Sequence, residues 1–376
     1  MSHLYATIFL TSTSYGAIVF LIPVYAEGLG ASYIDLGFIG AAGSMVYAVM
    51  TVVSGFLLDR FERVRLYLVF NTIGVVIVAL FSFTSTVFQV ILLRGVLGIV
   101  SAAFWVTAST LTADLSPAET LTQSVSRYNI AWITGFIVGP FIGGFISDFL
   151  GFRALFLILS TVVILSVIIN WVRLASKLTL YIQSEKARFE WTSIKHLVPA
   201  YIALFPFSIV LGIYMAILPA HMKSLGIASS TIGFLLTMTN GVRGLGFLNT
   251  ERFVGWGATK SLSAAAFLLC GAFFAVAFSQ TTFEFAAPLL MYGLAAGIIT
   301  PVILDYIAHR TPRNVLGTAM GVHECVYGIG MSLGPVAGGA IAEAYSPATL
   351  FLVLVAMSSF IIPLSFGLRK VSLDTG

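Results

Sequence analysis

Four ionisable side chains stand inside long apolar runs of this 376-residue chain: Arg94, Arg243, Asp305 and Glu324. A charge in hydrocarbon costs several kcal/mol unless it is paired or hydrated, so such residues mark places where ions or substrates are handled. Counted to the nearest polar boundary along a helix, Arg243 lies about 12 Å from Glu251, Asp305 about 8 Å from Arg310 and Glu324 about 15 Å from Asn314. Similar depths make a cluster of one cation and two carboxylates feasible. In such a cluster desolvation favours the neutral acid and the guanidinium favours the charged one, the balance a proton switch needs. Arg243, Asp305 and Glu324 are therefore the candidate proton-coupling residues, with Glu324 the deeper acid; a permanent structural ion pair is the plainer alternative. His323 points about 100° away from Glu324 on a helix and reads as polar packing. Asp305, His309, His323 and Cys325 together would suit a divalent metal exporter, a minority reading, and no metal site is assigned. Arg94 with the aromatic and amide groups Tyr15, Trp105, Asn129, Trp132, Phe207 and Tyr214 would line an amphipathic cavity, although each taken alone reads equally as helix packing.

These residues need elements that hold them in a membrane, and the composition supplies them. Charged residues are 9% of the chain and hydrophobic ones 59%, against about 25% charged in a typical soluble protein, and the mean hydropathy is +1.01. A soluble enzyme and a disordered chain are both excluded. Twelve spans of about 20 residues would use roughly 240 residues and leave the rest for loops and tails. Apolar runs fall at 4–26, 34–58, 64–84, 87–113, 125–149 and 152–174, then at 197–221, 231–250, 259–279, 283–309, 315–345 and 347–368. No Lys or Arg precedes the first run, which reads as a retained helix in place of a cleaved signal. Between the two sets, 175–196 carries the longest charged stretch and reads as a linker joining an N-terminal bundle, 1–174, to a C-terminal bundle, 197–376. With the N-terminus inside, all but four of the 19 lysines and arginines fall on the inner face. Arg153 and Lys223 fall outside, and Arg94 and Arg243 lie within spans. That bias places both termini and the linker on the cytoplasmic side of a plasma or inner membrane, and leaves no basic groove for nucleic acid. The two cysteines, Cys270 and Cys325, lie in apolar runs and suggest no disulfide.

The halves also repeat. A shift of about 196 residues lays Ile22-Pro23 and Leu29-Gly30 on Leu218-Pro219 and Leu225-Gly226. A shift of about 195 lays Gly139-Pro140 and Gly143-Gly144 on Gly334-Pro335 and Gly338-Gly339. An even number of spans per half makes the repeats parallel, about an axis along the membrane normal, as in transporters that rock around a midplane site. Span 5 carries Gly135, Gly139, Pro140, Gly143 and Gly144, and span 11 carries Gly330, Gly334, Pro335, Gly338 and Gly339. Small residues four apart form a strip that another helix can approach closely, and the two strips are expected to face the opposite half. Spans 3, 6, 9 and 12 carry no interior charge and are expected to face lipid.

On these residues the chain resembles the major facilitator superfamily along its whole length. Gly55-Phe56-Leu57-Leu58-Asp59-Arg60-Phe61-Glu62-Arg63-Val64-Arg65 is similar to that family's cytoplasmic loop signature, departing from it where Glu62 replaces a glycine. Arg94-Gly95 with Gly98 resembles its fourth-helix motif, and the span 5 glycines resemble the pattern of its antiporters, drug/proton antiporters above all. The recurrence of that pattern in span 11 also fits a shared packing device. The resemblance implies an all-helical membrane protein of twelve spans in two six-helix bundles. It implies an inner gate in which Asp59 meets the start of span 11, near Gly317, and a basic partner meets Asp114, with Gly55, Asp59, Arg60, Arg63 and Asp114 as gating residues. The second-half counterparts of Gly55 and Asp59 are Glu251 and Gly255, so the latch is expected to be one-sided.

The function expected is secondary active transport by alternating access, proton-coupled efflux of amphipathic small molecules, by a monomer without cofactor. Against efflux stands the lack of an acid within spans 1 and 2. The alternative is proton-coupled uptake of a small organic anion on Arg94 and Arg243. A membrane enzyme or sensor is disfavoured, because no nucleophile with its base appears.

Overall fold

The computed structural model describes residues 2–117, 120–174, 194–312 and 315–368, which form helices joined by short turns, with no strand among them. Their order is α1 (Ser2–Gly28), α2 (Tyr33–Arg60), α3 (Arg63–Leu80), α4 (Val87–Asp114), α5 (Leu121–Leu174), α6 (Val198–Ala216), α7 (Leu218–Ser224), α8 (Ser229–Leu248), α9 (Thr250–Trp256), α10 (Ala258–Val276), α11 (Thr282–His309), α12 (Leu316–Ala344), α13 (Pro347–Ser359) and α14 (Ile361–Ser365). Ten stretches among the described residues are long and apolar enough to cross a membrane. The twelve spans are recovered once two cases are allowed for. α5 is two arms joined at Gly151, whose φ of 81° and ψ of 164° only glycine adopts readily. α8 is the remaining span, diluted by Asn240, Arg243 and several glycines. Spans 7 and 12 are each interrupted: α6 gives way to α7 around Ile217, and α13 to α14 around Phe360.

Helix starts are written locally. Ser32 and Asp35 form a capping box at α2, and Thr86 with Gln89 does the same at α4. Glu62, the departure from the loop signature, caps α3, its carboxylate accepting from the N–H groups of Val64 (3.1 Å) and Arg65 (2.8 Å). The substituted position thus closes the turn by side-chain capping where glycine would do so by backbone freedom.

The chain forms two compact units. The first holds the described part of Met1–Ser184 together with Met215–Thr237, and the second holds the described part of Glu185–Tyr214 together with Met238–Gly376. The 215–237 segment joins the first unit because it packs there. Pro140 of α5 contacts Gly233, Gly144 contacts Ser229, and the Thr237 hydroxyl donates to the Ile137 carbonyl at 2.6 Å.

In the first unit α1 is buried along most of its length, held between the two arms of α5. The first arm presents Gly135, Gly139 and Gly143 to Ser12, Thr13 and Ala17, so close that any Cβ would collide with α1. The second arm is tied by polar side chains. Thr7 donates to Asn170 at 2.9 Å, Thr11 meets Ser166 at 2.9 Å, and Ser14 donates to the Leu159 carbonyl at 3.2 Å. α3 turns Val64, Tyr67, Leu68, Asn71, Gly74 and Val78 inward, a spacing of three and four that leaves Val69, Ile73 and Val76 exposed as a lipid-facing row.

In the second unit α12 seats Gly330 on Ser208 and Gly334 on the Ile209 carbonyl (2.5 Å from a built Cβ), while Gly212 of α6 faces Met331. α8 and α11 cross at Gly246 and Gly297, where a Cβ on the first would lie 2.7 Å from the Cα of the second. α10 packs on α11 and α13, with Phe273 stacked on Phe351 at 6.5 Å. Both glycine strips therefore seat first on the leading helix of their own half. From the span 5 strip, Pro140 and Gly144 also meet the start of α8.

Candidate functional site: an arginine among tyrosines

α8 can approach α11 closely because Gly293 rests on Thr239, and Gly297 rests on the Arg243 carbonyl, which a Cβ built on Gly297 would meet at 2.7 Å. That seam fixes which side chains meet. Tyr292 stacks on Tyr214 of α6 with ring centroids 4.1 Å apart and packs edge-on to Phe273. Tyr214, Tyr292 and Tyr327 all fall within electrostatic reach of Arg243, and Thr300 faces the Tyr327 hydroxyl. The Arg243 guanidinium lies 5.4 Å from the Phe247 ring centroid. Phe207 reaches Tyr327 at 6.5 Å, and His323 stacks on Tyr327 at 5.8 Å. Among the buried polar atoms here without a hydrogen-bond partner are Arg243 Nε, Asn240 Nδ2, the Tyr292 and Thr300 hydroxyls and His323 Nε2.

The acids expected beside Arg243 pair elsewhere. Asp305 Oδ1 meets His309 Nδ1 at 3.1 Å, one turn on, and Glu324 Oε1 meets His323 Nδ1 at 3.1 Å. Among the described residues Arg243 makes no ion pair with either acid, so the three-membered cluster does not form. Depth along an axis fixes only one coordinate. Rotation about the axis leaves the Glu324 side chain 58% exposed while the neighbouring His323 is buried. No group of three His, Cys, Asp or Glu side chains able to hold a metal occurs among the described residues. His323 and Glu324 do touch, although neighbours on a helix diverge.

In the first unit the remaining cavity candidates fall into two groups. Trp105, Trp132 and Phe136 form a ring cluster with centroids about 6 Å apart, and the Trp132 indole N–H donates to Asn129 Oδ1 at 3.0 Å. Tyr15 is buried, edge-on to Phe104 at 5.7 Å, and its hydroxyl faces Gly74. Arg94 crosses α2 at Gly43, where a Cβ would fall 2.5 Å from its guanidinium carbon. Among the described residues it makes no ion pair.

At the cytoplasmic signature, one Arg63 nitrogen, Nη1, donates to both oxygens of Asp114, at 2.8 and 2.7 Å, between the start of α3 and the end of α4. Arg60 is exposed, as expected of a basic residue at a helix end, and Gly55 has open space around it. The Asp59 and Gly317 side-chain positions lie outside the described residues, and so does most of the 175–196 linker. At the other end of the first unit, Asp148 accepts from the backbone N–H groups of Ser229 (3.1 Å) and Ser230 (2.7 Å), the first two residues of α8, and Tyr33 meets His221 Nδ1 at 3.0 Å.

Sequence reasoning missed Tyr292, Tyr327, Asn240, Asp148 and the Tyr33–His221 contact. One signal was available: Gly293-x-x-x-Gly297 in span 10 has the same spacing as the strips of spans 5 and 11, and it marks the crossing that brings Tyr292 to Arg243.

The sequence profile of the Major Facilitator Superfamily matches the chain twice, over residues 4–199 and 200–374. The chain is 24% identical over 374 residues to an MFS-type transporter, MJ1560, of Methanocaldococcus jannaschii, covering 95% of this chain and 96% of that one. It is 22% identical over 370 residues to the multidrug resistance protein MdtG of Salmonella choleraesuis, covering 94% and 91%. Its fold superposes on the nucleoside transporter NupG with a TM-score of 0.80 at 16% identity, covering 99% of both chains. On a peptide transporter, POT, solved in complex with sulfate, it superposes with a TM-score of 0.81 at 12% identity, covering 97% and 93%. With its twelve helical spans, its repeated halves and two matches to one profile, the chain belongs to the Major Facilitator Superfamily and is an integral, multi-pass membrane transporter of small molecules.

Proposed function

We propose that this transporter exports amphipathic small molecules in exchange for protons, working by alternating access between the two six-span halves 1–174 and 197–376. The observation that carries the reading is Arg243 with its stacked tyrosines Tyr214 and Tyr292. A cation kept among aromatic faces offers one charged and several apolar contacts, which suits an amphipathic guest better than a uniformly polar solute. The multidrug resistance protein among its relatives supports the same class. The wet Glu324 carboxylate beside the buried His323 imidazole supports proton exchange at that point. Asp305 with His309, nearer the cytoplasmic end of α11, is the entry or exit step, and Tyr327 lies within electrostatic reach of both Arg243 and Glu324. Arg63 and Asp114 hold the inner gate, with Gly55, Asp59 and Arg60 in the same signature. Both termini and the 175–196 linker are cytoplasmic, in the plasma membrane, and the working unit is a monomer.

The test is transport in proteoliposomes of purified protein with an imposed pH gradient and a fluorescent amphipathic substrate. Glu324→Gln should abolish acceleration by the gradient while gradient-independent exchange persists, because exchange needs substrate binding and no net proton movement. Normal pH-driven accumulation by the variant would place the proton elsewhere. Accumulation toward the acidic side indicates antiport, and toward the alkaline side uptake by symport.

A further inference from the structure

Unmatched donors gather around Arg243. Its Nε–H is buried without a partner, as are the Asn240 Nδ2 amide and the Tyr292 hydroxyl, and the Thr300 and Tyr327 hydroxyls stand beside them. Both acids that might have neutralised the guanidinium are engaged with histidines. Asn240 and Arg243 lie three apart on α8 and so share a face, while Tyr292 is brought to the same face by the Thr239–Gly293 and Arg243–Gly297 contacts. A buried donor left unmatched costs free energy that an acceptor recovers. An anionic oxygen accepts from several donors at once, and its hydrogen bonds are stronger than neutral ones.

We propose that the Arg243 site takes substrates that carry one negatively charged oxygen-acid group, a carboxylate or its phosphonate or sulfonate equivalent, on an apolar body. The acid sits on Arg243 Nε, Asn240 Nδ2 and the Tyr292 hydroxyl, and the body lies against the rings of Phe207, Phe247 and Tyr327. This deepens the transport reading above and rests on it for the site being a substrate site. A neutral amphipath of equal size gains the ring contacts alone, and a cationic one is repelled by Arg243.

The test is equilibrium binding to the purified full-length protein of three probes that share one ring system: 2-naphthoate, 2-naphthalenemethanol and 2-naphthylmethylamine. Naphthoate should bind at least about tenfold more tightly than the alcohol, the size of a charge-assisted hydrogen bond, with the amine weakest. Arg243→Gln should erase that preference, and Arg243→Lys should restore part of it, since a point charge replaces a planar fork. Tyr292→Phe keeps the ring stack and removes one donor, so it should weaken naphthoate about threefold to tenfold and leave the alcohol unchanged. Its small perturbation keeps the test open should Arg243→Gln fail to fold. Absence of naphthoate binding, equal binding of the three probes, or an unchanged preference in folded Arg243→Gln or Tyr292→Phe each overturns the proposal. Binding is read without a membrane gradient. Selective binding without flux would therefore overturn the transport reading alone, and flux of amphipaths without charge preference would overturn this inference alone.

Discussion

Arg63 and Asp114 show what a single charged pair must do at the rim of an apolar bundle. The Arg63 side chain is 8% exposed and that of Asp114 17%, so each charge has lost most of its water and depends on the other. A near-buried pair adds little net stability over an apolar pair of similar volume, yet removing one partner strands the other. Asp114→Ala should therefore lower the stability of the detergent-solubilised protein by about 3 kcal/mol, at the low end for a stranded buried charge. The double variant Arg63→Met with Asp114→Leu should recover more than half of that loss. A double variant no more stable than Asp114→Ala would mean the pair matters for more than mutual compensation. Arg243 makes the contrasting case. Its presence was legible because any charge stands out in an apolar run, and Glu324 and Asp305 stood out for the same reason. Its environment was not legible. Tyrosines are ordinary in membrane helices, the chain has 14 of them, and beyond the Gly293-x-x-x-Gly297 spacing beside Tyr292 nothing local separates Tyr292 and Tyr327 from the rest until helix rotation is known.

Elements were more legible than contacts, because a span is defined by its own composition while a contact needs two spans. The twelve runs and the short turns between them follow from hydropathy and capping residues. The join of spans 5 and 6 at Gly151 was visible only as a gap, and α9 (Thr250–Trp256) fell where a loop was expected, because a short interfacial helix leaves no apolar run. The glycine strips announced close packing, but spacing alone does not say which helix fills the groove. The structure puts α1 against Gly135, Gly139 and Gly143, and α6 against Gly330 and Gly334. Gly139→Ala and Gly334→Ala should each lower thermal stability by about 1–3 kcal/mol, since the new methyl meets backbone that cannot yield. Gly321→Ala, with open space around it in the same α12, should be neutral or slightly stabilising. Equal losses at all three positions would mean that approach distance does not govern these sites, since helix propensity alone would favour alanine at each. Asp148 makes a second test at this scale. It belongs to α5 yet caps α8, so the cap exists only while those helix ends stay together. Asp148→Ala removes an interaction of about 1 kcal/mol. With Cys270 and Cys325 replaced by serine, alkylation of Phe234→Cys, whose native ring packs 6.2 Å from Phe141, should rise about fivefold. Unchanged labelling would show that the cap does not hold those ends.

At the scale of the whole molecule the two halves descend from one pattern and have diverged in their charges. Asp114 of the first half pairs with Arg63, while at the position shifted by about 195 residues His309 pairs with Asp305 one turn away. The aromatic clusters differ likewise: the first half holds Trp105, Trp132 and Phe136, and the second holds a cation among tyrosines. Such asymmetry suits a carrier whose substrate charge is read in one half, and it has an energetic consequence. If an anion leaves as a proton enters, both movements carry charge in the same sense. At an inside-negative potential of 100 mV, two charges at about 2.3 kcal/mol each supply about 4.6 kcal/mol, enough for a concentration ratio of roughly two thousand. A neutral amphipath exchanged for the same proton gains only half of that energy. In proteoliposomes bearing a potassium diffusion potential set by valinomycin, 2-naphthoate extrusion should therefore depend on potential twice as steeply, in logarithmic units of accumulation, as that of 2-naphthalenemethanol. Equal slopes for the two probes would show that the naphthoate charge does not cross with its carrier cycle, and a slope of zero for both would show that no net charge moves at all.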